Sequence, residues 1–127
     1  MTQPARSRIA TGKSGEEIGV LYLKNKGYRI LETNYKTPIG EIDCVARSKG
    51  FIVFVETKTR QQHRFGFPEE SVTRNKQRKI IQVAKWYLKE KRLLDHPVRF
   101  DVLSVIAGEG IVPECHLIQD AFEVPEE

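Results

Sequence analysis

Residues 51–55 form the most apolar stretch of the chain and constrain its fold more than any other segment. They read Phe-Ile-Val-Phe-Val, so each of them is β-branched or aromatic. Residues of these types favour strands, and a run without polar alternation is typical of a strand that is buried on both faces. Because helices usually cover both faces of such a sheet, the run predicts the central strand of an α/β domain.

The remaining segments supply the other elements of such a domain. Ser14 and Glu17 form a capping box that predicts the start of a helix, and Gly27 is a stop signal for it. A hairpin turn at residues 48–50 should join the apolar strand to the strand before it. The predicted strands are residues 28–35, 41–47, 51–58, 98–106 and 115–118, with a second helix over 73–91. The order α-β-β-β-α-β-β predicts a mixed β-sheet flanked by helices.

Length and charge limit the possible domain organisation. The 127 residues fit one domain, which we place at residues 14–122, after a flexible basic N-terminal arm (1–13) and before an acidic tail (123–127). No apolar run reaches the ~18 residues that cross a bilayer, so we expect a cytoplasmic protein that has no membrane partner. The net charge of +4 is compatible with nucleic-acid binding but does not demonstrate it.

Charged residues follow the apolar run directly and need an explanation. Glu56 and Lys58 point to the same face of an extended strand. If the strands on either side of the hairpin turn pair, Asp43 lies roughly opposite them. Alternation admits either face for the acids, and we choose the shared face, on which two carboxylates and a lysine converge. An exposed ion pair at a strand end remains the alternative, because Glu-x-Lys is common by chance.

A divalent cation would compensate the charge of these acids. Mg²⁺ prefers one or two carboxylates and keeps several waters, which suits Asp43 and Glu56, and Mn²⁺ is the other candidate. Glu16, in the first turn of the predicted helix, is placed to add a third carboxylate or to order a metal-bound water. The backbone carbonyl of Thr57 would complete the coordination. Lys58 would hold the attacking water or stabilise charge on a phosphate, so the predicted catalytic residues are Asp43, Glu56, Lys58 and Glu16.

Motifs along most of the chain resemble a known family. They are Gly15 and Glu16, Lys26-Gly27-Tyr28, Asn34, Gly40-Glu41-Ile42-Asp43, Phe54-Val55-Glu56-Thr57-Lys58-Thr59-Arg60, Lys76, Ala84 and Arg99-Phe100-Asp101. Across residues 14–122 they resemble the YraN-like family of small bacterial proteins. That family is similar to the archaeal Holliday-junction resolvases and belongs to the PD-(D/E)xK nuclease superfamily. The resemblance implies a restriction-endonuclease-like fold, metal roles for Glu16, Asp43 and Glu56, and a catalytic role for Lys58.

Two residues depart from the pattern of these relatives. Ile42 stands before Asp43 where the superfamily name has proline. Thr57 stands in the middle of the Glu-x-Lys motif where the family usually has valine. Threonine and valine are nearly the same shape, so this exchange leaves the predicted site intact.

The function predicted from these features is metal-dependent cleavage of DNA, with branched DNA implied by the resolvase resemblance. Symmetric cleavage of a junction needs two sites, so that substrate predicts a homodimer. Two other readings stay open: a non-catalytic nucleic-acid-binding module with the same fold, and an adaptor that docks a protein through Phe65 and Phe67. The predicted nucleic-acid contacts are Arg60, Arg64, Lys76 and Lys79, although the last two also suit a solvated helix face.

Overall fold

The computed structural model describes residues 12–61 and 72–125 of the chain. These residues form two helices and five strands in the predicted order α-β-β-β-α-β-β. The helices are α1 (Gly12–Asn25) and α2 (Arg74–Glu90), and the strands are β1 (Arg29–Thr37), β2 (Gly40–Ser48), β3 (Phe51–Arg60), β4 (Val98–Gly108) and β5 (Ile111–Phe122). In the described ranges, neither helix combines the length and the apolar character that a membrane span requires.

The five strands form one sheet in the order β1-β2-β3-β4-β5. β3 pairs with β4 in parallel, whereas every other neighbouring pair is antiparallel. A parallel pair needs a crossover connection, and α2 lies between β3 and β4 in sequence. The predicted mixed α/β sheet is therefore confirmed, with the apolar run of residues 51–55 in its central strand.

Each face of the sheet carries its own apolar core. Val53 and Val55 of β3 pack with Leu23 of α1 on one face. Phe54 packs with Ile80 and other residues of α2 on the opposite face. Continued alternation along β3 places Glu56 and Lys58 on the α2 face.

Two predicted helix features are wrong because α1 begins earlier than expected. Ser14 lies inside the helix, two residues after its start at Gly12, so it does not cap it. Glu16 is the fifth helical residue, and no acidic residue occupies the first turn. The positive end of the helix dipole, which acts within that turn, is thus not beside Glu16.

Strand β5 is also longer than the four residues predicted for it.

Two glycines bring α1 close to the sheet. A Cβ atom on Gly15 would lie 2.3 Å from Oγ1 and 3.0 Å from Cβ of Thr59. A Cβ atom on Gly19 would lie 3.0 Å from Cδ2 of Leu103. Both glycines are buried. The absence of side chains at these positions lets the helix backbone approach the end of β3, where the charged residues begin.

We expect Gly15→Ala to destabilise the protein by about 1–3 kcal/mol, as overpacking does in a tight core. In a helix with open space around it, the same change would stabilise the protein by roughly 0.5–1 kcal/mol. A loss of stability would therefore indicate that α1 lies close to Thr59. Urea unfolding followed by circular dichroism measures it. Gly19→Ala should cost less because its neighbour is the end of a flexible side chain. Adding Thr59→Ala should recover part of the loss; a Gly15→Ala protein as stable as wild type would contradict this packing.

A buried polar network ties β4 to β5 and to Tyr28, the residue before β1. Asp101 accepts hydrogen bonds from Tyr28 Oη (2.6 Å), Arg99 Nε (2.9 Å) and the backbone N–H of Asp120 (2.9 Å). Arg99 Nη2 also donates to Asp101 Oδ2 at 3.0 Å. Burial, followed by the bond to Asp101, raises the pKa of Tyr28 to about 12. Asp101 thus has the structural ion-pair role that its position beside Arg99 indicates.

Candidate active site

The site forms where β2 and β3 stop pairing through their backbones. Their antiparallel ladder runs from Ser48↔Phe51 to Cys44↔Val55. At the next residue, Oδ2 of Asp43 accepts a hydrogen bond of 2.8 Å from the backbone N–H of Thr57. Side-chain alternation also breaks here, because Ile42 packs on the α2 face and Cys44 on the α1 face. The carboxylate of Asp43 therefore reaches across to β3 beside Glu56.

Glu56 is a buried acid with two ammonium neighbours. Its side chain is 8% exposed. Its Oε2 atom lies 3.5 Å from Nζ of Lys76 and 3.9 Å from Nζ of Lys58. Lys58 and Lys76 are more exposed, at 31% and 45% of their side-chain areas. One oxygen of a buried carboxylate is thus shared by a lysine from β3 and a lysine from α2.

Both acids have raised pKa values in spite of these cations. Burial is the largest cause that raises the pKa of Glu56 above its ordinary value, and the charge of Asp43 adds to it. Burial also raises the pKa of Asp43, while the hydrogen bond from Thr57 and the charge of Lys76 oppose the rise. Carboxylates with perturbed pKa values are common at functional sites, where burial and neighbouring charges set those values.

Asp43 also borders an open hollow on the α1 side of the sheet, with a volume of about 580 Å³. Glu16 and Asn34 line the same hollow. Asn34 has a left-handed backbone conformation with φ of 52°, in the part of β1 that faces Asp43. Glu16 is exposed. Within residues 12–61 and 72–125, no three Asp, Glu, His or Cys side chains come close enough together to hold a metal ion. The structure therefore brings Asp43 to Glu56 and leaves Glu16 across the hollow.

The predicted nucleic-acid contacts are spread over two elements. Arg60 ends β3 and is half-buried. Lys76 and Lys79 lie on α2, both exposed, and Lys76 is the one that reaches Glu56. Arg64 lies outside the described residues, as do Phe65 and Phe67. Around the acids, the structure thus adds a role for Lys76 that the sequence did not suggest.

The carboxylates of Asp43 and Glu56 form a donor set that suits a divalent cation. Asp43 and Glu56 offer carboxylate oxygens from adjacent strands, and hard cations such as Mg²⁺ prefer one or two such ligands. The lysines leave the pKa of both acids raised, so positive charge is still favourable at this place. The backbone N–H of Thr57 faces Asp43. A metal role for the Thr57 carbonyl stays a prediction.

Comparison with known proteins identifies the family. Residues 15–105 match the uncharacterised protein family UPF0102. The chain belongs to UPF0102. A UPF0102 protein of Geotalea uraniireducens is 47% identical over 113 residues, which cover 89% of each chain. Another from Syntrophus aciditrophicus is 46% identical over 125 residues, covering 98% of this chain and 94% of the relative. A third, from Syntrophotalea carbinolica, is 47% identical over 117 residues, 92% of this chain and 94% of the relative.

Membership of UPF0102 confirms the YraN-like resemblance that the motifs carried. The matched segment contains Glu16, Asp43, Glu56, Lys58 and Lys76. It also contains a site feature that the sequence analysis did not find, the ion pair between Lys76 and Glu56. The sequence shows Lys76 three residues after the capping Thr73. It does not show the contact with Glu56, 20 residues earlier, because that contact depends on how α2 packs on the sheet.

Proposed function

We propose that this protein is a metal-dependent endonuclease that hydrolyses phosphodiester bonds of DNA in the cytoplasm. The observation that carries the proposal is the buried Glu56, which lies beside Asp43 and is flanked by the ammonium groups of Lys58 and Lys76. Paired acids and a lysine in the second half of a central strand resemble the motif of the PD-(D/E)xK superfamily. A site of this kind combines ligands for a cation with charges that suit a phosphate.

Asp43 and Glu56 would hold Mg²⁺ or Mn²⁺. When bound, the ion would supply Lewis-acid polarisation of a phosphoryl oxygen and a lowered pKa for a coordinated water. Glu16, which is exposed across the hollow from Asp43, would order water there rather than serve as a direct ligand. Asp43 is held in place by the N–H of Thr57, so its orientation is set before any ligand arrives.

Lys58 is the residue we propose as the catalytic cation. Its Nζ lies 3.9 Å from Glu56, and its side chain is 31% exposed, so the ammonium borders both the buried acid and solvent. From this position it would orient the attacking water or stabilise the charge that develops on the phosphate. Arg60, Arg64 and Lys79 would add contacts with the DNA backbone, which carry affinity without sequence preference.

Branched DNA is the substrate that the resolvase resemblance favours within this proposal. Resolving a junction requires two cuts, so a homodimer with two sites would follow. Substrate preference and oligomeric state are therefore measured together, with a panel of junction, flap, duplex and single-stranded DNA and with sedimentation of the protein alone and on a junction.

We expect the protein with Mg²⁺ or Mn²⁺ to cut at least one DNA of that panel, and Lys58→Ala to lower the rate by roughly 10²–10³, as loss of a transition-state donor does. Gel analysis of end-labelled DNA measures the rate. Lys49→Ala removes an exposed lysine from the β2–β3 turn and should cut like wild type. Absence of metal-dependent cleavage on all four structures would reject the proposal.

A non-catalytic nucleic-acid-binding module is the second candidate. It is favoured by the lack of a third acid beside Asp43 and Glu56 within the described part of the chain. Such a module would bind DNA in a salt-dependent way, and Lys58→Ala would leave that binding unchanged. Retention of both Asp43 and Glu56 in a partly desolvated place, at a cost in stability, supports the enzyme instead.

A further inference from the structure

Lys76 reaches the acids from a fixed point on α2. Thr73 caps this helix, and its side chain accepts a hydrogen bond of 3.1 Å from the backbone N–H of Lys76. The cap sets the backbone of Lys76 in the first turn of the helix. From there the side chain extends toward β3, where its Nζ lies 3.5 Å from Oε2 of Glu56. This ion pair joins the first turn of α2 to the acid in the middle of the central strand.

Lys76 has a stronger effect on the acids than Lys58 has. Its charge stands ahead of the charge of Lys58 among the causes that lower the pKa of Asp43, and the same order holds for Glu56. Yet Lys76 is the more exposed of the two lysines, with 45% of its side chain in contact with solvent. Lys76 is therefore the principal counter-ion of the two acids and also the lysine whose side chain is less confined by its neighbours.

We propose that Lys76 is a displaceable counter-ion, which neutralises Glu56 in the metal-free protein and turns to a DNA phosphate when a divalent cation takes its place. This inference rests on the proposed function and adds a regulatory coupling to it. The cation and the ammonium compete for the same carboxylate oxygen. A cation that binds Glu56 frees the ammonium of Lys76 for a phosphate. A phosphate that binds Lys76 frees the carboxylate of Glu56 for a cation. Each ligand therefore strengthens the binding of the other.

Lys58 is unsuited to this exchange. It lies on β3 itself, two residues after Glu56, and its side chain is more covered than that of Lys76. It therefore remains near the acid whether or not a cation is bound. Lys76 belongs to a different element and has solvent beside it, so a rotation of its side chain is enough to leave Glu56. The exchange needs no movement of α2.

The test measures metal affinity by calorimetry with Mn²⁺ and without DNA. Lys76→Gln removes the competing charge, so we expect it to bind Mn²⁺ about tenfold more tightly than wild type. Lys85→Gln removes the same charge from an exposed position of the same helix and leaves the Lys76–Glu56 ion pair in place. It should stay within about twofold of wild type, since exposed charges at longer range are screened by salt. Lys76→Arg keeps the charge and should resemble wild type, which separates charge from packing.

A second measurement reports the coupling with DNA in a Lys58→Ala background, where cleavage of the DNA is slowed. Addition of a short duplex should raise the Mn²⁺ affinity of this protein by roughly fivefold or more, and Lys76→Gln should abolish that gain. Equal Mn²⁺ affinities for Lys76→Gln and Lys85→Gln, or weaker binding by Lys76→Gln, would overturn the inference and leave the nuclease proposal standing. No Mn²⁺ binding by any variant, with or without DNA, would overturn the proposed metal site together with the inference.

Discussion

Glu56→Gln is expected to abolish DNA cleavage and at the same time to stabilise the metal-free protein. Loss of a carboxylate ligand should lower the cleavage rate by roughly 10³ or more, because metal-assisted chemistry depends on it. Stability should rise by about 0.5–2 kcal/mol, as is common when a strained functional site is relieved. The neutral amide removes the repulsion from Asp43 and keeps the shape of the side chain. Lys76 is exposed enough to be solvated without its partner.

The pH dependence of stability checks the cause of this gain. A carboxyl whose pKa is raised by folding stabilises the protein most below its unfolded pKa, and the contribution is lost as pH rises through the folded pKa. For Glu56 the ordinary value is 4.5. The difference in the free energy of unfolding between Glu56→Gln and wild type should therefore be small below that pH and grow above it. Asp95→Asn, which removes an exposed carboxylate from the loop before β4, should alter cleavage little. A Glu56→Gln protein that cuts DNA normally, or that unfolds more easily at neutral pH, would contradict the account of the site.

Asp101→Ala is expected to cause the largest loss of stability, about 3–5 kcal/mol, which is typical of breaking a buried ion pair. The change leaves Arg99 without its carboxylate partner and removes the acceptor of the N–H of Asp120. It also removes the acceptor for the hydroxyl of Tyr28. Urea unfolding followed by tryptophan fluorescence and circular dichroism measures the loss. If the protein does not fold, Asp101→Asn keeps an acceptor oxygen and should give a smaller loss.

Two comparisons separate the ion pair from the general effect of losing an acid. Asp95→Ala removes an exposed carboxylate from the loop before β4 and should change stability by less than about 0.5 kcal/mol. Tyr28→Phe removes one neutral hydrogen bond to Asp101 and should cost about 1 kcal/mol. If the Asp101→Ala loss equalled that of Asp95→Ala, the network would have no structural importance.

Local sequence signals predicted the order of the elements because those signals act over short distances. The run at residues 51–55 needed burial on both faces, and the turn at residues 48–50 could only join neighbouring strands. The start of α1 was misplaced because a capping box at Ser14 is a local preference of about 1 kcal/mol, which is too weak to fix the end of a helix by itself.

Only the part of the site that depends on strand pairing could be predicted from the sequence. Pairing across the hairpin was enough to put Asp43 near Glu56. It did not show the break in alternation at Asp43, because strict period-two alternation assumes a regular ladder. Lys76 was found as a basic residue but not as the partner of Glu56. That contact depends on how α2 crosses the sheet, which is settled by the apolar packing of residues such as Phe54, Ile80 and Tyr87.

The hydrogen bond from Thr57 to Asp43 makes a single backbone amide a spectroscopic reporter. The proton of that amide points at a site carboxylate, so its chemical shift responds to the charge on Asp43 and to whatever that oxygen binds. In an ¹⁵N-labelled sample this one resonance would report protonation and cation occupancy during a titration, with no label on the acids. The protein thus contains its own probe for screening candidate ligands.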